Sequence, residues 1–523
     1  EPIARSKQDN YITVGESIDP NDWDPKMNAD SIVNRTIRFA EANDASIILL
    51  HDAGGKTRQP TVDALPRIID YFKKSGCVFT TVASLMGKTK NDVMPSVKRS
   101  WVNSLNFFLA EATYWSGHFV YALFLTGIVL SVGRMIAMAI LAGIQKNREK
   151  KAVISTAQPM VSVIVPAYNE EINACRTISS LLQQDYPNLE VVFIDDGSTD
   201  NTYRVVSETF TGNPRVRVFT KSNGGKASAL NYGIRIAGSE YVVCIDADTQ
   251  LKKDAVRELM KKFTDAKVAA VAGNVKVGNE VNMLTRWQSI EYITSQNFDR
   301  RAFELLNCIT VVPGAIGAFR KEAILQAGGF TTDTLAEDCD LTMRLHRQGY
   351  RIANCNGAIS YTEAPENLKQ FLRQRFRWSF GVMQSFWKHR DAVFNPRYKN
   401  FGMIALPNIL VYQMILPFLA PLADLILICS LLATGLGIIQ SDISSILLYY
   451  AIFTLVDVAG AALAFAFEKE DHKKLLWMIP QRLVYRQLMY YILFKSFSKA
   501  LKGEMQGWGI LKRTGNVKKP ATA

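Results

Sequence analysis

From Ala112 to Gly133 the chain carries no charged side chain, and an apolar stretch and then the basic run QKNREKK at 145–151 follow Arg134. A run of that length reaches the about 20 residues a helix needs to cross a hydrocarbon core. Whatever else the chain folds into, this helix is expected to lie outside any globular core. The cations mark its cytoplasmic end and put residues 1–110 outside, by the positive-inside rule. Two further apolar stretches come late. Residues 401–441 hold one charge, Asp424, and residues 443–467 hold one, Asp457. The first is too long for one span, and Pro407, Pro417 and Pro421 are expected to break it. It reads as an interfacial helix and a span, or as two spans. The segment 473–502 mixes apolar residues with Arg482, Arg486, Lys495 and Lys499, which predicts an interfacial amphipathic helix, with a fourth span as the alternative. The loop IQSDISS has no Lys or Arg and reads as external; the basic end LKRTGNVKKP reads as cytoplasmic.

Between these runs, residues 158–395 have the composition of a water-soluble domain. This mixture accounts for 48% hydrophobic residues beside a mean hydropathy of +0.01 in 523 residues, a length that suggests two to four domains. The net charge of +13 is assigned to membrane flanks. No zinc-finger spacing or RNA-binding signature occurs, so nucleic acid is excluded as a partner. Seven scattered cysteines without a CxxC pair predict free thiols. The chain opens on Glu1 with no signal-peptide pattern and is expected to be a fragment.

The soluble segment alternates apolar runs with helical ones. MVSVIVP (160–166), LEVVFID (189–195), VRVFT (216–220) and YVVCID (241–246) read as strands, and Glu170–Gln184 as a helix. That order predicts an α/β domain with a parallel sheet covered on both faces, its ligands at the carboxyl ends of the strands. Acids stand at those ends: Asp195 and Asp196 after the second strand, Asp246 and Asp248 after the fourth. Carboxylates spaced D-x-D project to one side of an extended segment and suit a hard cation such as Mg²⁺ or Mn²⁺ on a diphosphate. Turn-forming aspartates are the plainer alternative. In TLAEDCDL, Glu337, Asp338 and Asp340 offer a general base, or simply an acidic helix start. QRFRW sets Gln374, Arg375, Phe376, Arg377 and Trp378 together. Its tryptophan can stack on a sugar and its arginines can grip phosphate, or the segment is a basic interfacial helix.

VIVPAYNE, IDDGSTD, GGKASALN, IDADT, VVPGAIGAFR, AEDCDL and QRFRW occur in the order seen in family 2 glycosyltransferases, and the chain resembles their processive branch over roughly 158–515. That branch includes chitin-oligosaccharide, hyaluronan, poly-N-acetylglucosamine and cellulose synthases. The resemblance implies a GT-A (Rossmann-like) fold and inverting, metal-dependent β-transfer from a UDP-sugar to a growing polysaccharide at the bilayer. It implies that Asn169, Glu170, Asp195 and Asp196 serve the uridine and Lys226 the diphosphate. Asp246 and Asp248 would hold ribose, metal and diphosphate, and Asp338, beside Glu337, would be the base. Gln374, Arg377 and Trp378 would bracket the diphosphate and acceptor. Ala336, where the cellulose branch carries Thr, favours an aminosugar polymer, so UDP-GlcNAc is the expected donor. Trp508, Gly509 and Arg513 resemble a gating segment with altered spacing. Asp424 and Asp457 are expected either to line a polymer path or to bond helices together.

Before the first span, IDPNDWDP and ILLHDAGG resemble late motifs of NodB-type polysaccharide deacetylases, with Asp19, Asp22 and Trp23 in one and Leu49 and His51 in the other. The family's earlier catalytic and metal-binding motifs are absent, so a partial (β/α) deacetylase segment without its own activity is expected. The expected organisation is 1–95 deacetylase-like and extracytoplasmic, 112–144 a membrane helix, 158–395 the cytoplasmic GT-A domain, 401–467 membrane or interfacial helices, and 473–523 a further helix with a basic tail. A bacterial cytoplasmic membrane is the expected location. The competing readings are a non-processive transferase acting on a membrane lipid, an anchored deacetylase and a non-catalytic relative.

Overall fold

The computed structural model describes residues 13–43, 46–53, 57–94, 100–151, 154–436, 443–502 and 515–516. The chain divides into two compact units, Glu1–Gly117 and His118–Ala523. In the first, helices Ala29–Asn43 and Gln59–Lys74 pack through Ile32, Val33, Ala64 and Ile68, and Ile18 pairs in parallel with Ile48.

The second unit is built on eight strands: β1 (Val161–Ala167), β2 (Leu189–Asp195), β3 (Val216–Thr220), β4 (Tyr241–Cys244), β5 (Gln250–Leu251), β6 (Val268–Val277), β7 (Gly317–Arg320) and β8 (Arg351–Thr362). They lie in the order β3-β2-β1-β4-β7-β6-β8-β5. All of β1 is buried, as a β-branched run covered on both faces requires. One layer packs Ile164, Val192 and Ile194 against Leu230 and Ile234; the other packs Val163, Val165 and Phe193 against Ile178 and Leu181.

The expectation of a parallel sheet holds for β3-β2-β1-β4 and again for the pair β6-β8. The short β7 runs antiparallel between β4 and β6, and β5 runs antiparallel to β8, so the sheet is mixed. The segment GAFR is only four residues long and half glycine and alanine, which leaves no pattern from which a strand can be read. The helix expected over Glu170–Gln184 begins only at Ala174, because the residues before it form the turn that carries Asn169 and Glu170.

Two described helices are long and apolar enough to cross a membrane, Tyr121–Lys151 and Phe401–Leu419. The first belongs to a helix running unbroken over Trp101–Lys151, with the basic run as its last turns. There Glu149 pairs with Lys262 at 2.6 Å, tying the helix end to the sheet domain. The prolines at 407, 417 and 421 do not break the chain as expected. Helical backbone continues from Phe401 to Gly435 through two π-helical segments, Phe401–Ala405 and Ile409–Ile415, whose wider turns absorb the missing N–H groups. All seven cysteines are free thiols.

Candidate active site

The carboxyl ends of β1 and β2 meet in a set of loops pinned by side chains. Asn169 sits at a φ of 57° and accepts a bond from the Thr199 N–H at 2.8 Å, while the Glu170 N–H donates to Thr202 Oγ1 at 2.8 Å. Asp195 and Asp196 are each 2% exposed. Asp195 accepts from Thr220 Oγ1 at 2.7 Å and from the Ser198 N–H. Asp196 accepts from Lys221 Nζ at 2.6 Å and from the N–H groups of Gly224 and Gly225 at 3.1 and 2.7 Å. Asp196 thus closes the glycine turn that leads into the helix Lys226–Ile236, while Asp195 ties the end of β3 to the turn at Ser198.

Lys226, the first residue of that helix, points into the second acidic group. Its ammonium lies 2.5 Å from Asp246 Oδ1 and 3.4 Å from Glu337 Oε1. Burial works against the charge, but Asp246, Glu337 and Asp338 outweigh it and hold the lysine pKa above its ordinary value. Burial pushes the Glu337 carboxyl up and Asp338 adds to this, while Lys226 and Arg377 pull the other way. Asp338 starts the helix Glu337–Arg347, and its carboxylate accepts from the Cys339 N–H at 2.8 Å and the Gly314 N–H at 3.2 Å. Gly314 was not singled out by the sequence reading, yet it needs to be small. A Cβ there would lie 2.7 Å from Lys226 Nζ. The Pro-Gly pair at 313–314 is the one signal in the sequence that marks this loop.

QRFRW lies on the helix Leu368–Lys388. Gln374, Arg377, Trp378, Gly381, Gln384 and Lys388 recur at helical spacing and form one face. A Cβ on Gly381 would meet the backbone of Ala336 at 2.7 Å, Gln384 accepts from the Leu335 N–H at 2.9 Å, and Lys388 reaches Asp340 at 2.9 Å. This face is therefore pressed along the start of the Asp338 helix. Gln374 is buried, and its Oε1 has no hydrogen-bond partner. Asp340, on the buried side, accepts from Thr331, Arg344, Lys388 and His389, which hold its carboxyl well below the usual range although burial opposes them.

Among the described residues no group of three or more His, Cys, Asp or Glu side chains is arranged to hold a metal. Of the two carboxylates expected to hold a cation, Asp246 receives the Lys226 ammonium and Asp248 is buried. This fits a cation that takes its remaining oxygens from a diphosphate and water, as Mg²⁺ commonly does.

Outside this cleft, Asp22 accepts from the His51 N–H at 2.8 Å and from Thr61, and meets His51 Nδ1 at 2.7 Å. Asp19 closes a turn through the Asn21 N–H, and Trp23 is exposed. Asp457 pairs with Arg482 at 2.8 Å, which joins two helices, the second of the two roles expected for it. Trp508, Gly509, Arg513 and the side chain of Asp424 lie outside the described residues.

The family model for Glycosyl transferase family 2 matches residues 162–327. A Poly-beta-1,6-N-acetyl-D-glucosamine synthase from Staphylococcus aureus (strain COL) is 34% identical over 222 residues, covering 42% of this chain and 54% of that protein. Its namesake from Staphylococcus epidermidis is 34% identical over 232 residues, covering 43% and 56%. The chain thus spans about half the length of the curated relatives it matches. Among solved structures, a mannosyltransferase from Pyrobaculum calidifontis in complex with GDP-Man and Mn²⁺ aligns with a TM-score of 0.51 at 25% identity, covering 72% of this chain and 99% of that one. The mixed sheet and its acid-bearing strand ends are those of a family 2 glycosyltransferase domain with the GT-A fold.

Proposed function

We propose that this chain is a processive transferase that polymerises N-acetylglucosamine from UDP-GlcNAc with inversion and exports the product across a bacterial cytoplasmic membrane. The observation that carries the reading is the convergence of Lys226, Asp246, Gly314, Glu337 and Asp338 beside the helix of Gln374, Arg377 and Trp378. Asp246 and Asp248 would hold the cation, with the donor diphosphate supplying further oxygens. A bound Mg²⁺ or Mn²⁺ supplies positive charge to the departing UDP. Lys226 and Arg377 add fixed positive charge from the protein. Asp195 and Asp196 contact the uridine, with Asn169 and Glu170 nearby. Asp338 removes the acceptor hydroxyl proton as that oxygen bonds to the anomeric carbon and the bond to UDP breaks, and the Gly314 and Cys339 N–H groups orient its carboxylate. One displacement inverts the centre without a covalent sugar–enzyme species. Trp378 offers its ring to the acceptor sugar.

The names of the relatives and Ala336 support an aminosugar polymer, and the two apolar helices support a membrane site. The first unit is read as a deacetylase-like extracytoplasmic piece. Its support is the Asp22–His51 pair, and no turnover is assigned to it.

Membrane vesicles given labelled UDP-GlcNAc and Mg²⁺ or Mn²⁺, with UDP-glucose in parallel, test the proposal through product size. A long polymer from UDP-GlcNAc alone is expected. Single-sugar lipid products, or incorporation from UDP-glucose only, would replace it with a lipid transferase or a glucan synthase.

A further inference from the structure

Within QRFRW, Arg375 is a residue to which the reaction described above gives no task, yet it is the largest fully buried side chain among the described residues. A buried guanidinium has five N–H donors to satisfy. Here Nη2 donates to Glu291 Oε2 at 2.6 Å and meets the Tyr485 hydroxyl at 3.4 Å, while Nε and Nη1 have no hydrogen-bond partner among the described residues. Aromatic faces take the place of the missing acceptors. The guanidinium carbon lies 4.2 Å from the Trp378 ring centre, 5.4 Å from that of Phe371 and 5.6 Å from that of Tyr292. Cation–π attraction is strongest for tryptophan and grows when water is excluded, so the shortest contact is also the strongest.

The cage connects two places. Tyr292, in the π-helical segment Tyr292–Asn297, sits 6.0 Å from Trp378 ring to ring and close enough to Asp248 to feel its charge. On the other side, Glu291 accepts a short hydrogen bond from Tyr485, which belongs to the helix Met478–Leu501. The Tyr485 ring packs 5.1 Å from Phe371 and 6.0 Å from Trp287.

We propose that Arg375 is a positioning residue that fixes the Trp378 ring for the acceptor sugar, and that the Glu291–Tyr485 pair makes this ring's setting depend on the helix Met478–Leu501. Trp378 is stacked from below by a cation that cannot turn, because Glu291 holds one edge of its planar fork. Lysine has neither the plane nor the reach for both contacts. The inference rests on the assignment of Trp378 to the acceptor.

The test uses the full chain in membrane vesicles, with UDP-GlcNAc as donor and β-linked N-acetylglucosamine oligosaccharides as acceptor. Arg375→Met keeps the bulk and removes the cation; Tyr485→Phe removes one hydroxyl remote from the cleft. Arg375→Met is expected to raise the acceptor KM about 10-fold and the donor KM less than about 2-fold, on the scale of one lost cation–π contact. Arg375→Lys should recover part of that loss, and Tyr485→Phe should shift the acceptor KM in the same direction by less. An equal rise in both KM values, or a loss confined to kcat, would overturn the proposal. Should Arg375→Met fail to fold, Tyr485→Phe decides alone, and an unchanged acceptor KM sinks the idea. Trp378→Phe separates the two readings: if it leaves the acceptor KM unchanged, the acceptor assignment fails before Arg375 is judged.

Discussion

Two acidic groups stand at the ends of parallel strands in this domain, and they are satisfied in opposite ways. Asp195 and Asp196 accept from a threonine hydroxyl, a lysine and backbone N–H groups within the same loops. Asp246, Glu337 and Asp338 instead surround one lysine. The first group is held by hydrogen bonds from its own loops, with Lys221 on Asp196. The second gathers three carboxylates around Lys226, with Arg377 also acting on Glu337, a concentration of acids that suits a bound cation. Burial raises the Glu337 pKa and Asp338 adds to it, against the pull of Lys226 and Arg377. Carboxylates of the same kind therefore stand in different settings, one pair bound into its own loops and the other set, from a strand end and a helix start, gathered on Lys226.

The sharpest way to break this contrast is Asp338→Asn. Asparagine preserves the shape and the hydrogen bond from Gly314 but cannot take a proton. Transfer should fall by about 10³-fold, within the range general-base catalysis supplies, while UDP binding measured by calorimetry stays within about 2-fold. Retained turnover would move the base to Glu337 or to another group.

How far the sequence reached follows the same contrast. β2 and β3 are legible to the residue, because continuous Val, Ile and Phe runs bounded by turns leave little choice. The acids that close or follow β2 and β4 are legible as types. Their division into a closed group, held by its own loops, and an open one, gathered on Lys226, is not, since it depends on Lys226 reaching Glu337 across more than a hundred residues of chain. Gly314 and Gly381 escaped notice for the same reason: each is small only because a partner remote in sequence presses on it. β7 escaped because a four-residue strand between two long ones is held by its neighbours rather than by its own pattern.

Asp196→Ala against Asp246→Asn is the second test. Removing Asp196 strands Lys221 and two N–H groups in a nearly buried site, at a cost of about 3 kcal/mol, read as a lowered denaturant midpoint. Asp246→Asn should leave the midpoint within about 0.5 kcal/mol of the parent, the usual scatter of substitutions that break no closed network, yet raise the Mn²⁺ concentration needed for half-maximal activity. If the two variants exchange these effects, the closed and open groups have been assigned backwards. A smaller perturbation is Gly314→Ala. The added methyl has to displace the Lys226 ammonium, the flexible end of a side chain. A loss of about 10-fold in kcat/KM, roughly 1.4 kcal/mol, is expected with the fold unchanged by circular dichroism. Full activity would show that the lysine need not stay where it is.

The mildest test concerns Asp340, two residues beyond Asp338 on the same helix but a member of the closed class. Its four donors depress the folded pKa below the unfolded value. A depressed acid contributes stability that is fully present above its unfolded pKa, about 3.9, and that is lost as pH falls through the folded value. Glu337 has the opposite sign: its raised pKa favours the fold while it is protonated and costs stability once pH passes the folded value. Acidification should therefore lower the melting temperature of the parent more steeply below about pH 4 than that of Asp340→Asn, which has no proton to take up at this position. Parallel curves would mean that His389, Lys388 and Arg344 do not hold the charged form, and Asp340 would leave the closed class.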